Sequence, residues 1–279
     1  MDHIRRRKEL ANFLRTRRAR LSPLQAGLPA SNSRRRITGL RREEVASLSG
    51  ISLPWYMALE QARDIRVSEQ VLESLARTLQ LTKAEHDHLF ILANNTQLPQ
   101  AHVSTDPISP AHHLILDRLG TYPAYIIDGH WNVRAWNDMT ASLCGDFNQM
   151  RGIERNVLWR VFIVEGCKSR IVNWEQVARN LLAYFRGQYA VRLNDSWYEE
   201  LVLQLKERNN KFRLWWEEHE VAGHLEGEQV VQHPTAGVLP FRYSSFPISD
   251  NEDLLMRIYT PLDPLGSEPK LACLLRNSQ

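Results

Sequence analysis

Long apolar runs are missing from this sequence of 279 residues. None approaches the ~18 consecutive apolar residues of a membrane span, and the amino terminus is charged where a secretory signal needs an apolar core. Both absences place the chain in the cytoplasm. Cysteine is scarce: Cys144, Cys167 and Cys273 are three in number, widely spaced and without a CxxC pair. A disulfide framework and a structural zinc site are therefore not expected, and each thiol reads as a small buried residue or a free group. The usual signatures of catalysis are absent too. There is no helix-borne HExxH, no glycine loop that could cradle a phosphate and no nucleophile elbow. His219 and His224 lie five apart with Gly223 between them, which is poor spacing for two ligands on one helical face. The sequence gives no reason to expect an enzyme, a cofactor or a metal.

What is present is uneven. Residues 1 to 95 hold 17 Lys or Arg against 10 Asp or Glu, a net of +7, whereas residues 96 to 279 hold 18 against 22, a net of −4. The whole-chain charge of +3 conceals this split. The basic residues cluster at Arg5, Arg6, Arg7 and Lys8, at Arg15, Arg17, Arg18 and Arg20, and at Arg34, Arg35, Arg36, Arg41 and Arg42. Alone, such runs are most often solvated faces. They gain meaning from the segment that follows them.

Between Arg42 and Glu60 the small and apolar residues fall where two tightly crossing helices need them. Ala46 is the small side chain at the crossing, and Gly50 supplies the positive φ that the turn demands. Ser52 is placed to cap the second helix, and Pro54 lies in its first turn, where a missing amide hydrogen does least harm. Val45, Ile51, Tyr56 and Leu59 form the inward face, leaving Leu53, Trp55 and Ala58 outward. A basic half carrying this pattern is the electrostatic footprint of phosphate contact.

Residues 9 to 93 resemble the helix-turn-helix domain of the Xre or Cro/C1-type bacterial regulators. Gly39-Leu-Arg-Arg-Glu-Glu-Val-Ala46, followed by Tyr56 and Leu59-Glu-Gln61, is similar to the group that carries an MmyB-like ligand-binding domain. The resemblance implies a lambda-repressor-like bundle of five helices with Arg42 at a phosphate of double-stranded DNA, and Arg41 beside it is a further candidate DNA contact. The resemblance also puts Ser52, Leu53, Pro54, Trp55 and Ala58 at the major groove. The groove-facing set is largely apolar, so thymine methyl groups and sugar edges, rather than bidentate forks, are its expected targets. Two positions depart from the family pattern. Ser49 stands where an apolar residue is usual, and Ala62 where glycine often follows the recognition helix.

Helical periodicity runs through 4 to 19, 41 to 49, 53 to 62, 69 to 79 and 83 to 93, with Thr82 and Glu85 forming a capping box. Residues 94 to 110 carry three prolines and no periodic pattern, which reads as a linker. The expected organisation is a reading domain over 1–95, a linker over 96–110 and a second domain over 111–279.

The second domain opens with a short helix near His112 to Leu119. The runs 122 to 127 and 131 to 136 then flank Asp128-Gly129-His130 as a hairpin with an Asp-Gly turn. Helical patterns follow at 138 to 146, 154 to 162, from Asn173 towards Tyr189, and from Ser196 to about His219 with a break at Asn209 and Asn210. Strand-like runs return at 228 to 233, 237 to 246 and 253 to 260. Strands, then helices, then strands indicate an α+β domain in which helices cover an antiparallel sheet. Trp136-Asn137, Arg155-Asn156 through Phe162, Phe212 with Trp215, Trp216 and His219, and His233-Pro234 with Gly237 are similar, in order and spacing, to the PAS-like MmyB-type domain. That resemblance implies a ligand-responsive domain with an apolar small-molecule pocket, a fatty-acyl ligand having been associated with the fold.

From the residues alone, the pocket candidates are Trp136, Leu143, Trp159, Phe162, Trp174, Leu181, Phe185 and Trp215, an aromatic-rich set on the covering helices. The competing reading makes them ordinary core. A carboxylate ligand would need a cation, for which Arg134, Arg155 and Arg160 are candidates. Together these features indicate a cytoplasmic, nucleoid-associated, sequence-specific DNA-binding regulator, expected as a homodimer because two-fold operators need two heads about one helical turn apart. The alternative is a DNA-associated adaptor whose second domain binds a protein partner.

Overall fold

A computed structural model describes residues 2–29, 39–93 and 107–278. Arg34, Arg35 and Arg36 and most of the expected linker lie outside the described residues. Two compact units are resolved by the packing. The first comprises Met1–Gln100, Ala183–Ser196 and Trp215–Gly223, and the second Ala101–Leu182, Trp197–Leu214 and His224–Gln279. The first unit thus takes two segments from the region that the sequence assigns to the second domain.

Five helices make up the amino-terminal part of the first unit: α1 Asp2–Arg20, α2 Arg42–Ser49, α3 Leu53–Glu60, α4 Glu69–Thr78 and α5 Lys83–Ala93. Phe13, Leu14, Leu40, Val45, Tyr56, Leu72, Leu75 and Leu89 fill their centre. Gly39 is required there, because a Cβ at that position would lie 2.3 Å from the Ala19 carbonyl oxygen. Ser49 is accommodated by hydrogen bonding rather than apolar packing: its hydroxyl donates to Thr78 Oγ1 at 3.0 Å, and its carbonyl accepts from Ser74 at 2.8 Å. The other two segments of this unit bring in buried ions. Arg186 lies with its guanidinium 3.9 Å from the centroid of the Trp216 ring and 3.4 Å from Glu9 Oε2. His88, also buried in this unit, has no hydrogen-bond partner on either ring nitrogen among the described residues. Burial, reinforced by the positive charges of Arg186 and Arg17, pushes its pKa down to about 3.

The second unit is built on one antiparallel sheet of five strands: β1 Ala124–Ile127, β2 Val133–Trp136, β3 Gly227–His233, β4 Gly237–Ile248 and β5 Asn251–Pro261. Their order across the sheet is β2-β1-β5-β4-β3, which gives the PAS-like arrangement. The expected Asp-Gly turn is wider than two residues. Asp128 accepts from the amides of His130 and Asn132 through its carboxylate, and Trp131, at φ 65, takes the left-handed conformation.

Between the first hairpin and β3 lie α7 Asp138–Cys144, α8 Val157–Ile163, α9 Glu165–Lys168, α10 Trp174–Val191, α11 Ser196–Arg208 and α12 Asn210–Glu217. α6 Pro110–Arg118 precedes the sheet and α13 Pro264–Ser278 follows it. The asparagines singled out in the sequence are architectural. Asn137 Oδ1 caps α7 by accepting from Thr140 and also takes the Ala124 amide, while its Nδ2 donates to the Tyr122 carbonyl. Asn156 caps α8 and donates to the His130 carbonyl at 2.7 Å. Asn173 does not cap α10; its side chain bonds both the amide of Val230 and the carbonyl of Glu228, tying the approach to α10 onto β3.

Side chains alternate across the sheet with a period of two. On one face Ala124, Ile126, Ala135, Leu254 and Met256 join Leu116 of α6 in an apolar cluster. Tyr125, Tyr243, Arg257 and Tyr259 belong to the opposite set.

Candidate functional site

The geometry of α2 and α3 follows from the residues that bound them. Gly50 ends α2 at φ 67, ψ 30, a left-handed conformation that costs glycine little. Ser52 accepts from the amide of Trp55 at 3.4 Å and so starts α3, with Pro54 in its first turn. Tyr56 and Leu59 are buried, whereas Ser52, Leu53 and Pro54 are exposed and Trp55 and Ala58 half-buried. The outward set expected from the spacing therefore lies on one continuous face at the start of α3. Glu60, the last residue of that helix, is buried beneath it and receives two guanidiniums. Arg18 of α1 donates to it through Nε at 2.6 Å and Nη2 at 3.2 Å, and Arg42 of α2 through Nε at 2.5 Å. Burial opposes the charge of this carboxyl, yet the hydrogen bonds from Arg18 and Arg42 hold it below the usual carboxylate range. One carboxylate thus fixes three helices, and Arg42 is pinned through Nε while its side chain remains 44% exposed. Arg41 is exposed at the start of α2, its amide donating to Glu44 at 2.7 Å.

Past Glu60, Gln61 closes α3 and Ala62 adopts φ 57. The departure from glycine noted in the sequence therefore falls on a left-handed residue, where a β-carbon is strained.

In the second unit a cavity of about 400 Å³ opens on the face of the sheet that carries Tyr125 and Arg257. Val133, Tyr125, Arg257, Tyr259, Phe241 and Val231 form its sheet side. Leu143 of α7, Val157 and Val161 of α8, and Leu181 of α10 form the helical side, with Phe147 and Ile171 from the connections. The strip 170–172 closes the far edge by pairing with β3, through Val172 to the Val230 carbonyl at 2.8 Å and Gln232 to the Arg170 carbonyl at 2.7 Å. A mostly apolar lining with a few polar groups is the usual composition of a small-molecule site.

Of the pocket candidates read from the sequence, Leu143 and Leu181 line this cavity. Phe162 and Trp174 pack edge to face at 5.9 Å, and Phe162 meets Phe212 at 5.0 Å. Trp159 lies under Arg208, and Trp136 packs against Phe147 beneath Arg155. Phe185 and Trp215 belong to segments of the first unit. The cations are distributed just as unevenly. Arg134 lies 3.6 Å from Asp128, and Arg155 donates to the Met150 carbonyl at 3.1 Å. Arg160 lines the cavity but is spent on the Cys144 carbonyl at 2.7 Å, the Glu154 carbonyl at 3.3 Å and the Met150 sulfur at 2.8 Å. Arg257, which is not among the cations expected from the sequence, is the buried cation of the lining.

Residues 108–274 match the family model described as the MmyB-like transcription regulator ligand binding domain. The chain belongs to that family. Residues 9–89 match a helix-turn-helix domain, so the MmyB-like domain is joined to a DNA-binding head, and the chain is a transcription regulator of this two-part type. No curated protein was found to match it. Among the described residues no helix is long and apolar enough to cross a membrane, and no group of His, Cys, Asp or Glu could hold a metal ion.

Proposed function

We propose that this MmyB-like regulator binds specific double-stranded DNA sites in the cytoplasm as a homodimer. Its carboxy-terminal domain, over 111–279, responds to a small apolar ligand of the fatty-acid type. The observation that carries the ligand reading is the cavity of about 400 Å³, lined mostly by apolar side chains from both the sheet and the helices. The reading face on DNA consists of Arg41, Arg42, Ser52, Leu53, Pro54, Trp55 and Ala58, supported by their position on one face at the start of α2 and α3. Pinned through Nε, Arg42 presents its terminal nitrogens to a backbone phosphate, and the apolar start of α3 packs on thymine methyls and sugars. Ligand binding changes the affinity for DNA by its differential affinity for the two states of the dimer. Neither domain catalyses a reaction in this reading.

Native mass spectrometry of the full chain, followed by selection of DNA sites in vitro and footprinting, tests it. The expected result is a dimer mass carrying an acyl-sized increment and a shared sequence among the selected sites. A ligand-free protein that also fails to bind added dodecanoic acid would contradict the sensor reading, and selected sites with no shared sequence would contradict specific recognition.

A further inference from the structure

Arg257 sits in the middle of β5, 2% exposed. Among the described residues its side chain is hydrogen-bonded only to hydroxyls. Nη1 donates to Tyr125 Oη at 3.0 Å and Tyr259 Oη at 3.4 Å, Nε lies 3.4 Å from Ser245 Oγ, and Nη2 has no hydrogen-bond partner among the described residues. No Asp or Glu pairs with it among the described residues. Burial pushes the Tyr259 hydroxyl well above its ordinary value, so that phenol stays neutral and cannot balance the guanidinium. A buried cation without a counter-charge is costly and is normally paired.

The placement follows from the register of the sheet. Tyr125, Arg257 and Ser245 lie abreast on β1, β5 and β4, and Tyr243 and Tyr259 form the next pair on the same face. Arg257 and the two tyrosines that bond it, Tyr125 and Tyr259, line the apolar cavity. The cavity floor thus carries a charged patch of donors within a mostly apolar lining that also includes Arg160 and Arg170.

We infer that Arg257, with the hydroxyls of Tyr125 and Tyr259, is the anchor for an anionic head group, a carboxylate, on the ligand of this cavity. The inference rests on the proposed ligand reading and adds its polar end. Nη1 and Nη2 form the fork that meets two carboxylate oxygens, and the phenols turn their protons toward the same oxygens. The apolar tail then runs along the helical wall past Val161 and Leu181. Arg160 is only half-buried and has no buried nitrogen left without a partner among the described residues, unlike Nη2 of Arg257, and Arg170, half-buried and donating to the Leu143 carbonyl, is the competitor that the test must separate.

The test measures binding of dodecanoic acid and of dodecan-1-ol to the full chain by titration calorimetry, in wild type, Arg257→Met, Arg170→Met and the double variant Tyr125→Phe with Tyr259→Phe. Charged hydrogen bonds of this kind are worth about 10- to 100-fold in affinity. Arg257→Met is expected to weaken the acid by that factor and to change the alcohol less than about threefold, and the tyrosine variant is expected to weaken the acid more modestly. Arg170→Met is expected to leave both ligands unchanged. In wild type, ¹³C-carboxyl-labelled dodecanoic acid is expected to stay ionised well below the pH at which the free acid titrates. Should Arg257→Met fail to fold, that resonance and the tyrosine variant still decide. Equal binding of acid and alcohol to wild type would overturn the anchor while leaving the apolar-ligand reading intact, as would loss of acid binding in Arg170→Met alone. Failure of both ligands to bind wild type would overturn the ligand reading itself.

Discussion

Both units bury arginines, and Arg18 of the first and Arg257 of the second are treated in opposite ways. In the first, Arg18 meets Glu60, which also holds Arg42, and every element of that triad belongs to helices that must keep their angles if α3 is to present Leu53, Pro54 and Trp55 together. In the second, Arg257 meets hydroxyls and the rings of Tyr125 and Tyr243, and no carboxylate among the described residues. A charge balanced within the fold serves the fold. One with no counter-charge among the described residues is available for an incoming group.

That contrast can be broken most forcefully at Glu60. Glu60→Gln leaves Arg18 buried without its counter-charge, and removing one partner of a buried pair costs about 3–5 kcal/mol, read as a lower urea midpoint at constant slope. Arg257→Met, by contrast, is expected to leave the midpoint of the ligand-free protein equal or higher, since it removes an unbalanced cation. Equal losses from the two variants would erase the distinction. Because the carboxyl of Glu60 is held low in the fold, its stabilisation is present above the carboxylate pKa of the unfolded chain and is lost as pH falls through the folded value.

A second acid effect comes from His88 and has a different window. With its folded pKa at about 3, it binds its proton more readily when unfolded, so stability declines as pH falls from the ordinary histidine value towards 3. His88→Leu is expected to flatten the stability profile above the carboxylate range and to leave the Glu60-dependent loss that sets in as pH falls through that range. A profile unchanged by the substitution would contradict the buried, neutral ring.

Smaller effects separate scaffold from contact in the reading head. Arg42→Ala is expected to cost roughly 1 kcal/mol of stability through Glu60, within the range for a charged hydrogen bond that is partly exposed. It should also reduce the magnitude of the log–log salt slope of DNA binding by about 0.9, the share of one phosphate. A stability loss with no change of slope would make Arg42 a clamp alone. Smallest is Ala62→Gly, expected to raise stability by about 0.5–1 kcal/mol by relieving the left-handed alanine after α3. Its effect on DNA affinity should be negligible.

Much of this could be read in the sequence, for identifiable reasons. Gly50, Ser52 and Pro54 announce the turn between α2 and α3 because each has a backbone role that few residues fill. The strand runs after residue 226 are legible from their β-branched and aromatic content. α13 was not anticipated: Pro264, Gly266 and Pro269 argue against a helix, yet Asp263 starts it by accepting from Gly266 and Ser267. The largest aromatics are the expected cavity lining from sequence, whereas Phe162, Trp174 and Phe212 fill space against one another. The walls of the cavity come largely from aliphatic and β-branched residues, Val133, Val157, Val161, Ile171 and Val231 among them. Arg257 is not legible as a site residue in the sequence, because Leu254, Met256 and Ile258 alternate with it as an inward set, and a charged residue on the other phase of a strand ordinarily faces water. Only the helices packed over that second face turn it into an interior position.

The most direct measurement is the affinity of the full chain for a DNA site selected in vitro, with and without saturating dodecanoic acid, in wild type and in Arg257→Met. A ligand-responsive regulator anchored at Arg257 predicts a shift of about 5- to 150-fold in wild type that shrinks towards unity in the variant at the same ligand concentration. Identical DNA affinities with and without the acid in wild type would contradict the account.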